Sequence, residues 1–139
     1  MNPIRITKLD HVVLRVADIE KSIRFYRDIL GCPEARTRPD TGLYQYQAGA
    51  SMIDLVPLDS PAGQSSGYGP PSRGRNMEHF ALTVAAFDEP ALRGYLERNG
   101  VKIIKAGRRF GAEGYGPSIY IEDPDGNEVE LKGPPEPSQ

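Results

Sequence analysis

An internal repeat constrains the fold of this chain more than any other feature of its sequence. The segments DHVVLRV (10–16) and EHFALTV (78–84) each place an acidic residue before a histidine and continue as a strand rich in apolar residues. Each strand is followed by a helical segment that begins after an aspartate N-cap, Asp18 or Asp88, and ends at a glycine. The pattern predicts two copies of one structural unit.

Both copies continue in the same way after the helix, with three short strands. A unit of one strand, one helix and three strands is too small to bury its own core, so we expect the two copies to pair. The expected fold class is α+β: two paired βαβββ modules forming a curved mixed sheet, with the helices outside and a polar, metal-binding concavity inside. The six later strands are predicted near 34–38, 43–48, 51–58, 101–106, 117–122 and 127–132.

The chain of 139 residues is predicted to be a single domain over 1–133. The modules occupy about 7–58 and 77–133, and a loop rich in glycine, proline and serine joins them over 59–76. The last residues, 134–139, are expected to form a flexible tail.

Composition excludes several classes of function. Seventeen Lys and Arg against nineteen Asp and Glu give a net charge of −2, which offers no basic field for nucleic acid. No apolar run approaches the roughly 18 residues of a membrane helix, and the first ten residues lack the apolar centre of a signal peptide. The one cysteine, Cys32, cannot form an internal disulfide, which fits a cytoplasmic location.

Polar residues recur at matching positions on the strands. The last strand of each copy carries one carboxylate between two apolar residues, Asp54 in IDL and Glu130 in VEL. Because side chains alternate between the two faces of a strand, these carboxylates lie opposite the helix-facing side, together with His11 and His79. Two imidazoles and one or two carboxylates suit one divalent metal per site (Zn, Ni, Co, Mn or Fe) with open positions for substrate.

The motifs LDHVVLRVADIEKSIRFYRDILG, EHFALTV and SIYIEDPDGNEVELKG resemble those of the vicinal oxygen chelate superfamily over about 7–133. That superfamily includes glyoxalase I, fosfomycin-resistance proteins, bleomycin-resistance proteins and extradiol dioxygenases. The resemblance implies paired βαβββ modules with metal ligands at His11, His79 and Glu130. It also implies a homodimer in which modules are exchanged between two chains. The linker 59–76 is long enough for such an exchange and would equally allow the two halves of one chain to close on each other.

Glyoxalase I is the member that the sequence resembles most specifically. Its fourth metal ligand is a glutamate at the place of Asp54, and it has an arginine at the place of Arg15. In that family this arginine, another before the second histidine (here Arg75) and a lysine (here Lys105) contact the acidic glutathione portion. The family's asparagine four residues after the first acidic ligand is replaced here by Leu58.

Plainer interpretations of the same residues remain open. A histidine in a strand is commonly a hydrogen-bonded structural residue, although these two are the only histidines of the chain. Arg15 is equally an ion-pair partner, Arg75 and Lys105 are ordinary loop charges, and Tyr120 is either a substrate contact or a core residue. The segment 108–117 reads either as a glycine-hinged lid or as a long hairpin loop.

Three functions follow from this pattern. The first is a metal-dependent lyase or isomerase of glyoxalase type acting on a small substrate with neighbouring oxygens, such as a glutathione hemithioacetal, with Glu130 or Asp54 as the general base. The second uses two histidines and one carboxylate for oxygenation, or for addition of a thiol or water to a small molecule. The third is a non-catalytic protein that binds a small molecule.

Overall fold

A computed structural model of the chain describes residues 5–64 and 77–137. It divides the chain into two units, Met1–Gly69 and Pro70–Gln139, which correspond to the two copies of the repeat. Arg75 lies outside the described residues. None of the helices in the described part of the chain is long and apolar enough to cross a membrane.

The first module is a four-stranded mixed sheet with a helix between its first two strands. Its sheet has the strand order β1-β4-β3-β2, with β1 parallel to β4 and the other neighbours antiparallel. A short helix follows the last strand, in the segment that the sequence predicts as a loop. The elements are β1 (His11–Val16), α1 (Ile19–Ile23), β2 (Glu34–Arg38), β3 (Leu43–Ala48), β4 (Ser51–Pro57) and α2 (Pro61–Gln64).

The second module repeats this topology. Its strand order is β5-β8-β7-β6, again with the first and last strands of the module parallel. The α+β class and the two βαβββ modules predicted from the repeat are therefore confirmed, and the hydrogen-bonded strands form one four-stranded sheet in each module. The elements are β5 (Phe80–Thr83), α3 (Glu89–Arg98), β6 (Lys102–Gly111), β7 (Gly114–Glu122) and β8 (Glu128–Lys132).

The predicted helix caps are present in both modules. The Asp18 side chain accepts a hydrogen bond from the backbone N–H of Lys21, and Asp88 accepts one from Ala91, each at 3.2 Å. After α1 the chain continues as a π-helical segment, Arg24–Ile29, which the sequence does not predict. Within this segment the neighbouring residues Phe25 and Tyr26 are both buried, and their ring centroids lie 4.8 Å apart.

Alternation along the strands places the core of each module on the helix-facing side. In β4, Ile53 and Leu55 are buried on the side opposite Asp54. In the second module the same role belongs to three residues that are fully buried, Ile119, Ile121 and Val129. Burial of this apolar surface holds each sheet and fixes which residues of a strand face the other side.

The segment 108–117 is neither a lid nor a long loop. Arg108 pairs with Pro117 and Gly111 pairs with Gly114, so β6 and β7 continue almost to the tip of their hairpin. The side chain of Lys132 lies over this hairpin: a Cβ atom on Gly111 would lie 2.6 Å from Lys132 Cε, so a larger residue there would displace the lysine. The sequence predicted a lid or a loop here because several glycines in a short segment are usually a signal for a turn.

Candidate metal site

In the first module, the sheet register brings His11 and Asp54 onto one face of adjacent strands. His11 is the partner of Met52 and Val13 is the partner of Asp54 in the parallel pair β1–β4. Partners in a sheet share a face, and so do residues two positions apart on one strand, so the imidazole and the carboxylate are diagonal neighbours. The Asp54 side chain is buried, with 3% of the residue exposed.

The two oxygens of the Asp54 carboxylate differ in their hydrogen bonding. Its Oδ2 accepts a hydrogen bond of 3.0 Å from Gln45 Nε2. Its Oδ1 is buried and has no hydrogen-bond partner among residues 5–64 and 77–137. Leaving a buried carboxylate oxygen without a donor typically costs about 1–3 kcal/mol. Such an oxygen is therefore a candidate for binding a cation or a ligand donor.

The acidic residue before each histidine contacts its ring. Asp10 Oδ1 lies 2.7 Å from Nδ1 of His11, and in the second module Glu78 Oε2 contacts Nδ1 of His79. The hydrogen bond with Asp10 raises the pKa of His11, and the negative charge of Asp54 acts in the same direction. A carboxylate at Nδ1 favours the tautomer that carries its proton there, which leaves Nε2 as the nitrogen that can bind a metal.

In the second module, His79, Glu130 and Tyr120 share one face. Glu130 is the partner of Ala81 on β5 and of Tyr120 on β7, and it is buried. The rings of His79 and Tyr120 form an edge-to-face contact with centroids 5.2 Å apart. Burial raises the pKa of Tyr120, and the nearby carboxylate of Glu130 adds to the shift.

Cationic side chains surround Tyr120 on this face. Lys105 Nζ lies 4.7 Å and Arg109 Cζ 5.5 Å from the centroid of the Tyr120 ring. Lys132, two residues after Glu130 on β8, is buried on the same side of the sheet. The sequence predicts Lys105 and Tyr120 as substrate contacts and places Arg109 only in the possible lid 108–117, but it does not single out Lys132. Alternation from Glu130 and pairing with β7 would have found Lys132.

A second carboxylate of β8 also lies close to the histidine. Potential ligand atoms of Glu78, His79 and Glu128 lie within 4.8 Å of one another. Imidazole nitrogen and carboxylate oxygen are donors that divalent cations accept, so this end of the sheet fits a metal chemically. Glu128 was not predicted, although it lies two residues before Glu130 and therefore on the same face of the strand.

Of the two remaining predicted substrate residues, Arg15 and Arg75, only Arg15 lies in the described part of the chain. Arg15 shares the face of His11, and its Nη1 donates a hydrogen bond of 3.3 Å to the backbone carbonyl of Gly63. This contact places the guanidinium against the chain after β4, within its own module. The roles of Arg15 and Arg75 in substrate binding stay predictions.

Comparisons with known proteins agree with the topology. The family model described as Glyoxalase/Bleomycin resistance protein/Dioxygenase superfamily matches residues 8–131. The chain is 34% identical over 123 residues to the glutathione transferase FosA of Serratia marcescens, covering 88% of this chain and 78% of that protein. It is 29% identical over 130 residues to the lactoylglutathione lyase of Salmonella typhimurium, covering 89% and 90%.

A solved structure is similar in fold. A protein from the mobile metagenome of V. pseudocholerae superposes with a TM-score of 0.71 at 29% identity, over 96% of this chain and 98% of that one. The match spans both modules.

Proposed function

Because the chain belongs to the glyoxalase/bleomycin resistance protein/dioxygenase superfamily, we propose that it is a divalent-metal enzyme that joins the thiol of glutathione to a small electrophile bearing an anionic oxygen group. Relatives named for two glutathione reactions, a transferase and a lyase, support the choice of thiol. The transferase shares 34% identity with this chain and the lyase 29%, which favours formation of a carbon–sulfur bond.

The cationic surroundings of Tyr120 are the observation that carries this proposal. Lys105 and Arg109 approach the Tyr120 ring on the face that also holds Glu130. Positive groups and a phenol beside a ligand carboxylate suit a substrate whose anionic oxygens are bound next to the reacting centre. A neutral substrate would make no use of these charges.

The donor set of the chain fits a divalent metal. We assign His11, His79 and Glu130 as its ligands, with Asp54 as a fourth donor oxygen. Such a metal, when bound, supplies Lewis acidity toward a substrate oxygen. The acidic contacts at Nδ1 of both histidines support this assignment because they leave Nε2 available in each ring.

The protein's own residues bind and orient the substrate. Lys105 and Arg109 neutralise the anionic group, and Tyr120, whose raised pKa keeps the phenol protonated, donates its O–H. In the addition itself, the sulfur–carbon bond forms as the electrophile's carbon–oxygen bond opens. The thiol proton ends on the released oxygen, so the product contains all atoms of both reactants.

The first experiment is metal analysis of protein purified without an affinity tag, followed by turnover with the metal found. Incubation with glutathione and fosfomycin, a small epoxide with a phosphonate group, should give an adduct that mass spectrometry detects as the sum of the two reactants. His11→Ala and His79→Ala should each lose bound metal and adduct formation while remaining folded. Full metal occupancy in both variants would contradict the proposed ligand set.

The second candidate is a lyase or isomerase acting on a glutathione hemithioacetal. The specific observation in its favour is the buried Asp54 with its unoccupied Oδ1, at the place of the fourth acidic ligand of glyoxalase I. In that reaction Asp54 or Glu130 would accept the proton from the substrate carbon. Consumption of the methylglyoxal–glutathione hemithioacetal, without any adduct from the epoxide, would select this candidate over the transferase.

A further inference from the structure

Gln45 occupies a defined orientation on β3. Its Oε1 accepts a hydrogen bond of 2.7 Å from Arg36 Nε, and its Nε2 donates one of 3.0 Å to Asp54 Oδ2. A guanidinium can only donate and a carboxylate can only accept, so the two ends of the amide cannot be exchanged. Arg36 therefore determines which end of Gln45 faces Asp54.

The orientation of the Gln45 amide determines which oxygen of Asp54 is hydrogen-bonded and which is left without a donor. Gln45 is the direct cross-strand partner of Asp54, and both side chains are buried. Because Oδ2 is held by the amide, the carboxylate cannot rotate without losing that bond, and Oδ1 stays on the other side. Among the described residues no group donates a hydrogen bond to Oδ1. The carboxylate is therefore held in one orientation by Gln45 while one of its oxygens lacks a hydrogen bond.

We propose that Gln45 is a positioning residue, oriented by Arg36, that holds Asp54 so that its Oδ1 binds the divalent metal. The inference rests on the proposed metal-dependent function, but it is independent of whether the reaction is a transferase or a lyase reaction. Groups that orient a ligand commonly change metal affinity about 10–100-fold when they are removed. Gln45 is such a group for the first module.

A purely structural role for Gln45 predicts a different result. Hydrogen bonds between β3 and β4 would stabilise the sheet whether or not a metal binds. The chain offers a matched control, because Gln47 lies two residues further along the same strand and its Nε2 donates only to the backbone carbonyls of Gly49 and Ser51. Replacing Gln47 removes side-chain hydrogen bonds without touching Asp54.

The experiment compares Mn²⁺ binding of the full chain by isothermal titration calorimetry. We expect Gln45→Leu to weaken the affinity about 10–100-fold and Gln47→Leu to leave it within about twofold. An unchanged affinity in folded Gln45→Leu overturns the inference. If Gln45→Leu does not fold, Arg36→Met replaces it, because Arg36 is exposed. It should weaken binding several-fold, and an unchanged affinity again overturns the inference.

A double-mutant cycle tests whether Gln45 acts through Asp54. In Asp54→Asn the amide group faces the metal position, so the affinity falls, and a further Gln45→Leu change should then have little additional effect. A full additional loss in that background overturns the positioning role. Failure of the unmodified protein to bind any divalent metal would instead defeat the proposed function, and the two failures are therefore distinguishable.

Discussion

Tyr120 and Glu130 are direct partners across the antiparallel strands β7 and β8, and both are buried. A tyrosine predicted as a substrate contact thus lies beside a carboxylate predicted as a metal ligand. Lys105 and Arg109 lie against the same ring. A substrate that reaches Glu130 therefore approaches a phenol and two cations.

The first prediction concerns these cations. Lys105→Met and Arg109→Met should each raise KM for an anionic substrate about tenfold or more, because a hydrogen bond to a charged group contributes about 1.5–3 kcal/mol. Steady-state kinetics at two salt concentrations measures the effect, which should weaken at high salt. Metal affinity should change little in either variant.

Arg108 provides the matched control for Arg109. Its guanidinium is bound by Glu136 and lies 3.9 Å from the centroid of the Tyr115 ring, so its contacts differ from those of Arg109. Arg108→Met should leave KM within about twofold of the unmodified protein. Equal losses in both arginine variants would mean that general charge, and not the neighbourhood of Tyr120, governs substrate binding.

The second prediction distinguishes the two candidate reactions at Asp54. If hemithioacetal isomerisation is the activity, Asp54→Glu should retain or improve it, since the longer carboxylate restores the family ligand. Asp54→Ala should abolish it. For the transferase, Asp54→Ala should weaken metal affinity while saturating metal restores much of the adduct formation. Unchanged isomerase kinetics in Asp54→Ala would exclude Asp54 as ligand and base of that reaction.

Which polar residues share a strand face was predictable from two periodicities, while their role as a metal site stays a prediction. The repeat located matching histidines and carboxylates, and the period of two along each strand assigned His11 and Asp54, like His79 and Glu130, to one face within each module. Both patterns depend on residue type and spacing alone. For that reason a single sequence was sufficient to predict them.

Partners across strands were not predictable in this way. The contact of Gln45 with Asp54 depends on the register of β3 and β4, which alternation on either strand does not determine. The two strands of the second hairpin were predicted, but their continuation towards its tip was missed because the glycines there, some of which lie against Lys132, have low β propensity. At both places the pairing and packing of strands determine the structure, and residue type and spacing along one strand do not reveal them.

The third prediction concerns the segment 134–139, which the sequence predicts as flexible. Part of it is held in place, because the Glu136 carboxylate accepts hydrogen bonds from Arg108 Nε at 2.7 Å and Nη2 at 3.0 Å. The Glu136 amide also donates to the Tyr115 carbonyl. The bond from Arg108 lowers the pKa of Glu136 below its ordinary value.

A lowered carboxyl pKa fixes the sign of the pH effect. The stabilisation from Glu136 is complete above the ordinary glutamate pKa of about 4.3 and is lost as the pH falls through the lowered value. The protection of the Glu136 amide, measured as the ratio of intrinsic to observed exchange rate at each pH, should therefore fall on acidification, and Glu136→Gln should show lower protection already at neutral pH. Glu113→Gln, in the turn of the same hairpin, serves as the control. Equal exchange in Glu136→Gln and the unmodified protein would contradict the role of the ion pair.

The last prediction is a two-fold symmetric homodimer with two equivalent metal sites, each combining the first module of one chain with the second module of the other. Mixing His11→Ala with His79→Ala chains tests the sharing of residues. In a shared-site heterodimer one site collects both substitutions and the other contains neither, so each heterodimer should regain about one active site. An equal mixture that exchanges subunits at random should therefore regain about a quarter of the normal activity. If each site belongs to one chain, every site carries one substitution and no activity returns. A monomer by light scattering would exclude the dimer, and an inactive but confirmed heterodimer would exclude sharing.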